Sequence, residues 1–531
     1  MTAIEEPLLA ADDIQGDSLA GFRKDHEDVA FLRIVDPGAA RAALGSIVPR
    51  ISPVGDVGAF NHLFRAMRRR RGEIRGSLSA TWANIGFTAS GLAALTSQAE
   101  VDRFEDDAFR LGLLARSPLL GDPTAADARG NPRQWRFGGP DSAVDAVLLV
   151  ASDDGDALEN TAGELLDALT SGGWALVHRE PCRTRPDQPG HEHFGFRDGI
   201  SQPGPRGRIG GGQFLTPRLV DPADPRSVRF ARPGQPLVWP GAYVLGLPGQ
   251  PVPPDDDLQP LPVQAPQPAW AQNGSFLIVR RLSQDVAAFR RFCAATAASL
   301  SAKPGFAGLT ADRLAALLVG RWPSGAPLVR APAADDAALG GDDFAANDFA
   351  FVNAHPPLPL TPAAHHGPDL FPAAIADPGG AICPHAAHIR KVNPRDDETD
   401  LGGSRNTLPK MILRRGMPFG PSAPADGSDD GADRGLMFMC YTASIERSFE
   451  FLLTDWANSA RNPQPGGNDL LIGQAQDAAS GRARSLELIG ADGSRETVST
   501  DVDWVYPTGG GYFFVPSITA LRTVLAASGG R

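Results

Sequence analysis

The strongest constraint in this sequence is one order of strands and helices that occurs twice. In the first half, alternating or continuous apolar stretches predict strands, and amphipathic stretches between them predict helices. The predicted elements follow the order β-α-β-β-α-β and cover Val29–Val35, Pro37–Leu44, Ser79–Thr88, Ala146–Ser152, Leu158–Thr170 and Trp174–Glu180. This order is typical of the split βαβ, or ferredoxin-like, arrangement.

The second half repeats this order. Its predicted elements are Ser275–Leu282, Asp285–Ala298, Met411–Phe419, Gly435–Thr442, Ser444–Asn458 and Gly511–Pro516, followed by a closing helix over Ser517–Ala527. Ser444 and Ser517 are candidate N-caps of the two later helices. The repeat predicts an α+β chain of two ferredoxin-like halves. We place them in an N-terminal domain over residues 1–210 and a C-terminal domain over residues 211–531.

A long insertion interrupts the second half. Roughly 110 residues, from Leu300 to Pro409, separate its first helix from its second strand, whereas connections in compact domains usually have about 4–6 residues. Thr310–Trp322 has a helical pattern, and residues 331–347 and 356–380 are rich in Ala, Pro, Gly and Asp. Because segments of this length inside a domain are usually functional, we expect the insertion 300–409 to have a function.

Size, charge and cysteine spacing exclude several classes of protein. The 531 residues exceed the roughly 250–300 at which a single core stops growing. The net charge of −12 has the wrong sign for general nucleic-acid binding. The basic block Arg68–Arg71 is predicted to be a solvated helix face. Four cysteines without a CxxC or CxxCH motif argue against a disulfide framework, a zinc ribbon and covalently attached c-type haem.

The sequence has no feature typical of a membrane protein. Residues 1–16 are acidic and lack the basic and apolar regions of an export signal. No uncharged apolar run approaches the 18 or so residues that a membrane-spanning helix needs. We therefore predict a cytoplasmic protein that has neither membrane nor nucleic-acid partners.

Histidine and aspartate motifs supply the candidate functional residues. The motif Cys383–His388, Cys-Pro-His-Ala-Ala-His, has the residue types of a metal cluster but lacks the second ligand pair of a structural zinc site. His191 and His193 would share one face of a strand, and His365–His366 are predicted to be solvated. Asp198 in Gly-Phe-Arg-Asp-Gly is either a turn former or a catalytic carboxylate. The residues alone leave these alternatives open.

The stretch Phe194–Pro203 carries a more specific signal. Its sequence, Phe-Gly-Phe-Arg-Asp-Gly-Ile-Ser-Gln-Pro, resembles the GxxDG signature of the dye-decolorizing (DyP-type) peroxidases. Other stretches resemble further blocks of this family in the same order: Asp13–Gly16, Asn273–Phe276, Leu318–Trp322, Asn347–Phe349, Cys383–Arg395, Ile412–Gly416, Ser444–Arg447 and Gly510–Phe514. The resemblance covers most of the chain. Its length and insertions are similar to those of the larger, fungal-like or cytoplasmic bacterial branch.

The resemblance implies a haem peroxidase of the dimeric α+β barrel type, with one non-covalent haem b per chain in the C-terminal half. Such an enzyme reduces hydrogen peroxide while it oxidises dyes, phenolics or other small one-electron donors. His388 matches the ligand of the iron, which leaves the opposite haem face open for peroxide. Asp198 matches the acid/base carboxylate. Arg414 matches the distal arginine, which stabilises charge that develops as the O–O bond breaks.

Four further residues are candidates for the haem environment. Glu446 is a candidate acceptor for the second N–H of the iron-bound histidine, with an ordinary charge at a helix start as the alternative. Arg395 and His193 are candidate partners of the haem propionates. Phe419 is a candidate wall of the distal pocket, with core packing as the alternative. His385 stands where the family commonly has an aromatic residue, so it is either a competing ligand or a neighbour of the haem edge.

Two other functions remain open at this point. A haem carrier, or an enzyme that removes iron from haem, would bind the same cofactor but would need neither Asp198 nor Arg414. A haem-free module would use the histidine motifs for zinc or copper. The sequence also leaves open whether the protein forms a homo-oligomer. Because an aspartate serves as the acid, we expect turnover to favour acidic conditions.

Overall fold

The strands of the first half form one antiparallel sheet. The computed structural model describes residues 4–71, 78–364, 369–474 and 482–526. The first-half strands are β1 (His26–Ile34), β2 (Thr81–Phe87), β3 (Ala146–Ser152) and β4 (Trp174–Arg183). Their order is β4-β1-β3-β2, and the helices Pro37–Ile47 and Gly155–Thr170 lie on the two connections that the prediction made helical. The predicted ferredoxin-like half is therefore confirmed, with element ends displaced by a few residues.

The connection between the halves contains a small separate sheet. Its strands are β5 (Gly204–Pro205), β6 (Phe230–Arg232) and β7 (Gln235–Val238), in the order β5-β7-β6. Strands this short have too few residues to show a clear alternation, so the sequence pattern did not predict them. The sheet follows directly after the loop that contains Asp198.

The second half repeats the sheet order of the first. Its strands are β8 (Ser275–Gln284), β9 (Leu413–Arg414), β10 (Met417–Phe419), β11 (Gly435–Thr442), β12 (Arg484–Ile489), β13 (Arg495–Thr500) and β14 (Val505–Val515). The order β14-β8-β11-β9 corresponds position by position to β4-β1-β3-β2. The predicted strand Met411–Phe419 is interrupted at Arg415 and Gly416, which separate β9 from β10. The hairpin β12–β13 lies outside the repeated elements and was not predicted.

The two sheets join into a closed α+β barrel. On one side, β2 pairs with β14 at Phe87 and Phe514. On the other side, β10 pairs with both β11 and β4. Alternate residues of the strands, such as Phe31 in β1 and Leu277 in β8, enter one core cluster, and their neighbours pack in a second cluster with the helices. The period of two along each strand thus places one apolar set inside the barrel and the other under the helices.

The helices cover the barrel and build the insertion. The α-helices are Pro37–Ile47, Val54–Arg71, Ala89–Leu95, Gln98–Val101, Asp107–Arg116, Gly155–Thr170, Val286–Leu300, Ala311–Val319, Ala337–Gly341, His388–Val392, Ser404–Thr407 and Ile518–Ala520. The predicted helix over Ser444–Asn458 is present as two π-helical segments, Glu446–Glu450 and Leu452–Ala457, and a third follows at Leu521–Leu525. Ser517 caps the last helix, since its side chain accepts a hydrogen bond from the N–H of Ala520.

The insertion is mostly irregular, with short helices, and it has its own apolar core. Leu314, Leu339 and Phe351 of the insertion pack in one cluster with Phe289 and Trp504 of the second half. Within the described part of the chain, no helix is both long and apolar enough to cross a membrane. His365–His366 and the side chains of Arg68–Arg71 lie outside the described residues. The domain boundary between residues 210 and 211 stays a prediction.

Candidate active site

A cavity of about 320 Å³ lies where the Asp198 loop, the insertion and the second half of the barrel meet. Its walls are largely apolar and come from the loop, the strands, the insertion and the π-helical segments: Phe194, Phe196, Leu282, Leu436, Phe438, Val319, Ile389, Phe449 and Leu453. Four of the predicted site residues line this one cavity: Asp198, Arg414, His388 and Arg395. The fold therefore joins residues that are more than 200 positions apart in the chain.

Backbone hydrogen bonds hold the loop that carries Asp198. The N–H of Asp198 donates to the carbonyl of Gly190 at 2.9 Å. Gly199 has a φ of 75°, a left-handed conformation that glycine adopts without strain. The carboxylate of Glu192 accepts hydrogen bonds from the N–H groups of Phe194 and Phe196, both at 2.8 Å. Glu192 is a positioning residue that the sequence did not reveal, because an acidic residue between two histidines has no distinctive pattern.

Arg414 in β9 binds the carboxylate of Asp198. Its Nη1 donates to Oδ1 of Asp198 at 2.7 Å, and its Nη2 donates to the carbonyl of Ser201 at 3.0 Å. The side chain of Gln202 brackets the backbone of Arg414, because its Oε1 accepts from the N–H and its Nε2 donates to the carbonyl. Two contacts from the side chain and two from the backbone thus fix the arginine against the loop.

The charge on Asp198 depends on Arg414. Burial raises the pKa of Asp198, but the guanidinium of Arg414 and the N–H of Gly199, which donates to Oδ1 at 2.6 Å, lower it by more. The net effect holds the pKa of Asp198 below its ordinary value. Asp198 is therefore a carboxylate at neutral pH. Its Oδ2 has no hydrogen-bond partner among the described residues, so one oxygen is left to accept a proton.

His388 begins the short helix His388–Val392, and a buried carboxylate fixes its ring. Its Nδ1 donates to Oδ2 of Asp469 at 2.7 Å. The other oxygen of Asp469 accepts from the N–H groups of Leu471 and Ile472 at 2.9 and 3.1 Å. Burial lowers the pKa of His388, but the charge of Asp469 raises it by more, and the net direction is upward. Because Nδ1 carries the proton, Nε2 is the nitrogen that remains to bind a ligand from the cavity.

The prediction that Glu446 accepts the second N–H of this histidine is wrong. Asp469 has that position, whereas Oε1 of Glu446 lies 3.5 Å from Nη2 of Arg116. Asp469 is 81 residues from His388, and its local sequence, Asn-Asp-Leu-Leu, indicates only a turn whose N–H groups the aspartate accepts. No pattern in the sequence pairs it with the histidine.

Two arginines on the cavity wall, the buried Arg321 and the partly buried Arg395, have no carboxylate partner among the described residues. Arg395 donates to the carbonyls of Asn347 and Phe349, at 3.1 and 2.7 Å, and its guanidinium lies 3.6 Å from the ring centre of Phe349. Burial lowers the pKa of Arg395 to about 10. Arg321 donates only to backbone carbonyls, and burial also lowers its pKa. Both line the cavity, so they supply positive charge for an anionic ligand.

Two of the weaker predictions are wrong, because neither His193 nor Phe419 is among the cavity-lining residues. His193 is 1% exposed, and its Nε2 donates to the carbonyl of Phe419 at 2.8 Å. Burial lowers the pKa of His193 to about 4, so the ring is neutral and unsuited to bind a carboxylate. Phe419 is 1% exposed, and its ring lies 3.8 Å from the guanidinium of Arg281. The pairing of β10 with β4 takes this ring into the core.

His385 does not compete for the cavity. Its Nδ1 and Nε2 lie 3.2 and 3.1 Å from the carbonyls of Pro465 and Pro378. Cys383 is buried, and burial raises the pKa of its thiol to about 12. Within the described ranges, no group of three or more His, Cys, Asp or Glu side chains is arranged to hold a metal ion. Of the Cys383–His388 motif, only His388 reaches the cavity.

Comparisons with known proteins agree with this geometry. The family model described as the DyP dimeric alpha+beta barrel domain matches residues 13–186, and the model described as Dyp-type peroxidase, C-terminal, matches residues 335–465. A dye-decolorizing peroxidase of Mycetinis scorodonius is 32% identical, over 97% of this chain and 87% of its own length. One of Auricularia auricula-judae is 31% identical, over 98% and 87%.

Solved structures extend these similarities to the fold. An ancestral D-type dye-decolorizing peroxidase has a TM-score of 0.76 and 31% identity, over 98% of this chain and all of its own. A dye-decolorizing peroxidase in complex with 2,6-dimethoxyphenol has a TM-score of 0.69 and 30% identity. A deferrochelatase of Yersinia pestis is 30% identical over only 158 residues, which is 30% of this chain.

Proposed function

The chain belongs to the dye-decolorizing peroxidase family, and we propose that His388, Asp198 and Arg414 supply the protein's part of the reaction. It is a haem-dependent peroxidase that reduces hydrogen peroxide and oxidises small-molecule reductants. One observation supports the proposal above all. An imidazole with a free nitrogen and an arginine-bound carboxylate line the same apolar cavity.

The residues around the cavity fit a haem group. The apolar walls suit a porphyrin. Arg321 and Arg395 are two cations on the wall without a carboxylate partner among the described residues, as two propionates require. Cysteine is absent from the described lining, and this supports haem b that is bound without a covalent link. His388 is the one histidine in the described lining of this cavity, and this supports one haem per chain. When bound, the haem supplies the redox chemistry, since it gives electrons to peroxide and takes them back from reductants.

His388 would bind the iron through Nε2. Asp469 accepts the Nδ1 proton, which fixes the tautomer and makes the imidazole a stronger donor to a metal. Because both oxygens of Asp469 are engaged, the ring cannot turn without breaking hydrogen bonds inside the protein. The short helix behind His388 keeps its backbone in place.

Asp198 would move the proton that peroxide cleavage requires. Its free Oδ2 accepts the proton from one peroxide oxygen and returns it to the other, so that water can leave. Arg414 keeps the carboxylate ionised and in position through Oδ1. The same guanidinium stabilises the negative charge that develops on the departing oxygen. A haem carrier would need neither group, and the deferrochelatase similarity covers only part of the chain.

The reductants are proposed to be phenols and dyes. A related structure contains 2,6-dimethoxyphenol, a phenolic one-electron donor. Trp456, Trp504 and Tyr512 are each 1% exposed, so direct contact with a bulky reductant at these rings is excluded. Four buried free cysteines support a reducing compartment such as the cytoplasm, which cell fractionation would test.

The direct test is an absorption spectrum of the purified, hemin-supplied protein before and after one equivalent of hydrogen peroxide. We expect the wild type to show a Soret band that changes on addition of peroxide. His388→Ala should lose or displace that band, while the matched control His385→Ala should keep it. Equal spectra for the two variants would contradict His388 as ligand. A Soret band that does not change on addition of peroxide would contradict the catalytic roles of Asp198 and Arg414.

A further inference from the structure

The N-terminal segment contains a stretch, Asp13–Gly16, to which the proposed reaction assigns no role. Residues 14–22 are all buried. The side chain of Gln15 accepts a hydrogen bond from the N–H of Ile85 at 2.9 Å and donates to the carbonyls of Ile85 and Pro516 at 3.0 and 2.8 Å. It thereby bridges β2 and the end of β14, at the seam where the two sheets join. The segment is thus anchored inside the barrel wall.

A tight turn over residues 16–22 follows Gln15. Oδ1 of Asp17 accepts from the N–H of Phe22 at 3.0 Å and closes the turn from within. Nδ2 of Asn61, in the helix Val54–Arg71, donates to the carbonyl of Gly21 at 3.0 Å and supports the turn from outside. The turn is therefore a rigid part of the first half.

Arg415 joins this turn to Arg414. Its Nε donates to the carbonyl of Asp17 at 2.9 Å and lies 3.4 Å from Oδ1 of the same residue. Its Nη2 donates to the carbonyl of Leu19 at 3.1 Å, and its Nη1 donates to the carbonyl of Arg414 at 3.0 Å. The donors of a guanidinium lie in one plane with fixed directions, so this contact ties the peptide of Arg414 to the turn.

The backbone of Arg414 needs such support, because its strand is very short. β9 has two residues, and its sheet pairing consists of Arg414 with Cys440 and Leu413 with Tyr441. Gln202 holds the same peptide from the loop of Asp198, and Arg415 holds it from the N-terminal turn. The two supports together fix the point from which the guanidinium of Arg414 reaches the catalytic carboxylate.

We propose that Arg415 is a positioning residue for the peroxide reaction, which holds Arg414 against Asp198 by fastening its backbone to the N-terminal turn. Arg415 is not among the residues that line the main cavity, so it acts through Arg414 and not on a ligand. The inference rests on the proposed role of Arg414. It gives the N-terminal segment a part in the reaction, although this segment lies some 400 residues earlier in the chain.

Arg415→Lys tests the proposal, because lysine keeps the positive charge beside Asp17 but cannot bond three carbonyls in fixed directions. We expect the peroxide rate, measured by stopped-flow absorption, to fall by about 10–100-fold, as a small misplacement of a reacting group does. In Arg414→Leu the same substitution should change the rate by less than about twofold, since the residue it acts through is gone. Arg434, which is also buried and binds a carbonyl and an aspartate, provides the control: Arg434→Lys should react as the wild type does.

The pH dependence separates positioning from a loss of stability. The charge of Arg414 lowers the pKa of Asp198, and a displaced guanidinium lowers it less. The acid limb of the peroxide rate in Arg415→Lys should therefore lie at higher pH than in the wild type. The hemin affinity should not change. A protein that is merely less stable would lose hemin affinity and melting temperature with the acid limb unmoved.

Gly21→Ala gives a second variant that leaves Arg415 in the chain. A Cβ atom at Gly21 would lie 3.0 Å from Cζ and from Nε of Arg415, so it would displace the guanidinium. Gly308→Ala is the matched control. Gly308 has a φ of 78° against 74° for Gly21, and no atom of the described residues lies within 4 Å of its Cβ position. We expect a slower peroxide reaction and a higher acid limb in Gly21→Ala alone, and this pair decides if Arg415→Lys does not fold.

Three results would overturn the proposal. One is an Arg415→Lys enzyme with the rate and the acid limb of the wild type. Another is an equal slowing by Arg415→Lys in the wild type and in Arg414→Leu. The third is a joint fall of rate, hemin affinity and melting temperature with the limb unmoved. If Arg414→Leu itself reacts as fast as the wild type, the proposed role of Arg414 fails, and the acid limb of Arg415→Lys still decides whether Arg415 positions it.

Discussion

On each side of the main cavity a carboxylate accepts a hydrogen bond at 2.7 Å from a basic side chain, Asp469 from His388 and Asp198 from Arg414. The surroundings of the two carboxylates differ. The side chain of Asp469 is 0% exposed, and both of its oxygens are bonded within the protein. The side chain of Asp198 is 35% exposed, and its Oδ2 has no partner among the described residues.

The comparison shows that a basic partner and a short hydrogen bond do not by themselves determine what a carboxylate does. A carboxylate whose two oxygens are satisfied can only orient its partner, as Asp469 orients His388. A carboxylate with one unbonded oxygen on a cavity can exchange a proton with substrate, as we propose for Asp198. Substitutions on each side should therefore affect different measured quantities.

The largest effect is expected for Asp198→Asn, which removes the proton acceptor but keeps the size of the side chain. The rate of reaction with hydrogen peroxide should fall by about 10²–10⁴-fold, the usual contribution of a general acid–base group. Stopped-flow absorption measures this rate, and the resting Soret band should not change. The exposed turn residue Asp492 provides the control, since Asp492→Asn should react as the wild type does. Loss of haem from Asp198→Asn would place Asp198 in cofactor binding instead.

Arg414→Leu should have the next largest effect. It removes a cation from the distal side and should slow the peroxide reaction by about 10²–10³-fold, as loss of one charge-stabilising donor usually does. Arg414→Lys keeps a positive charge but cannot bond both Asp198 and Ser201 in the same way. The rate of its peroxide reaction should therefore lie between those of the wild type and of Arg414→Leu. A lysine variant no faster than the leucine variant would show that geometry, not charge, is what Arg414 provides.

Asp469→Asn should change cofactor binding more than turnover. The hemin affinity should fall by about 10–100-fold, because an amide accepts the Nδ1 proton less strongly and no longer fixes the tautomer. Hemin titration into the apoprotein measures this. Glu446→Gln should leave the affinity unchanged, since Glu446 contacts Arg116 instead. Loss of hemin affinity in Glu446→Gln but not in Asp469→Asn would instead support Glu446 as the acceptor of the histidine N–H.

The smallest effect concerns pH. The pKa of Asp198 lies below its ordinary value in the folded protein, so the carboxylate is present above that pKa and is lost as pH falls through it. The acid limb of the peroxide rate should therefore lie below pH 3.8, and the enzyme should remain active under acidic conditions. Arg414→Leu removes the charge that lowers the pKa of Asp198, and burial then raises this pKa. The acid limb of the variant should therefore lie at higher pH than that of the wild type. Stopped-flow pH jumps separate this limb from acid unfolding, and an identical limb in the variant would contradict the coupling.

The sequence predicted the frame of the fold well, because the barrel strands depend on local periodicity. β3 and β11 have the predicted bounds, and both halves have the predicted order. The small strands β5–β7 were not predicted, since two to four residues show no period. The interruption of the strand Met411–Phe419 depends on pairing with β4 and β11, and that is a tertiary effect.

The site was predicted only in part. The resemblance to a family supplied His388, Asp198 and Arg414 as candidates, and the structure brings all three to one cavity. Asp469 was not identified, because it lies in an ordinary turn motif far from its partner in the chain. His193 was a candidate partner of the propionates, and Phe419 a candidate wall of the pocket with core packing as the alternative. Burial in the barrel wall removes both from the cavity.

The measurement that tests the account most directly compares Asp198→Asn with Asp469→Asn in one experiment, hemin titration followed by rapid mixing with peroxide. We predict that Asp198→Asn keeps the hemin affinity of the wild type and loses the peroxide rate. Asp469→Asn should lose hemin affinity and, once saturated with hemin, keep most of the rate. If both variants lose the same quantity, the two carboxylates do not have separate roles, and the proposed division of the cavity is wrong.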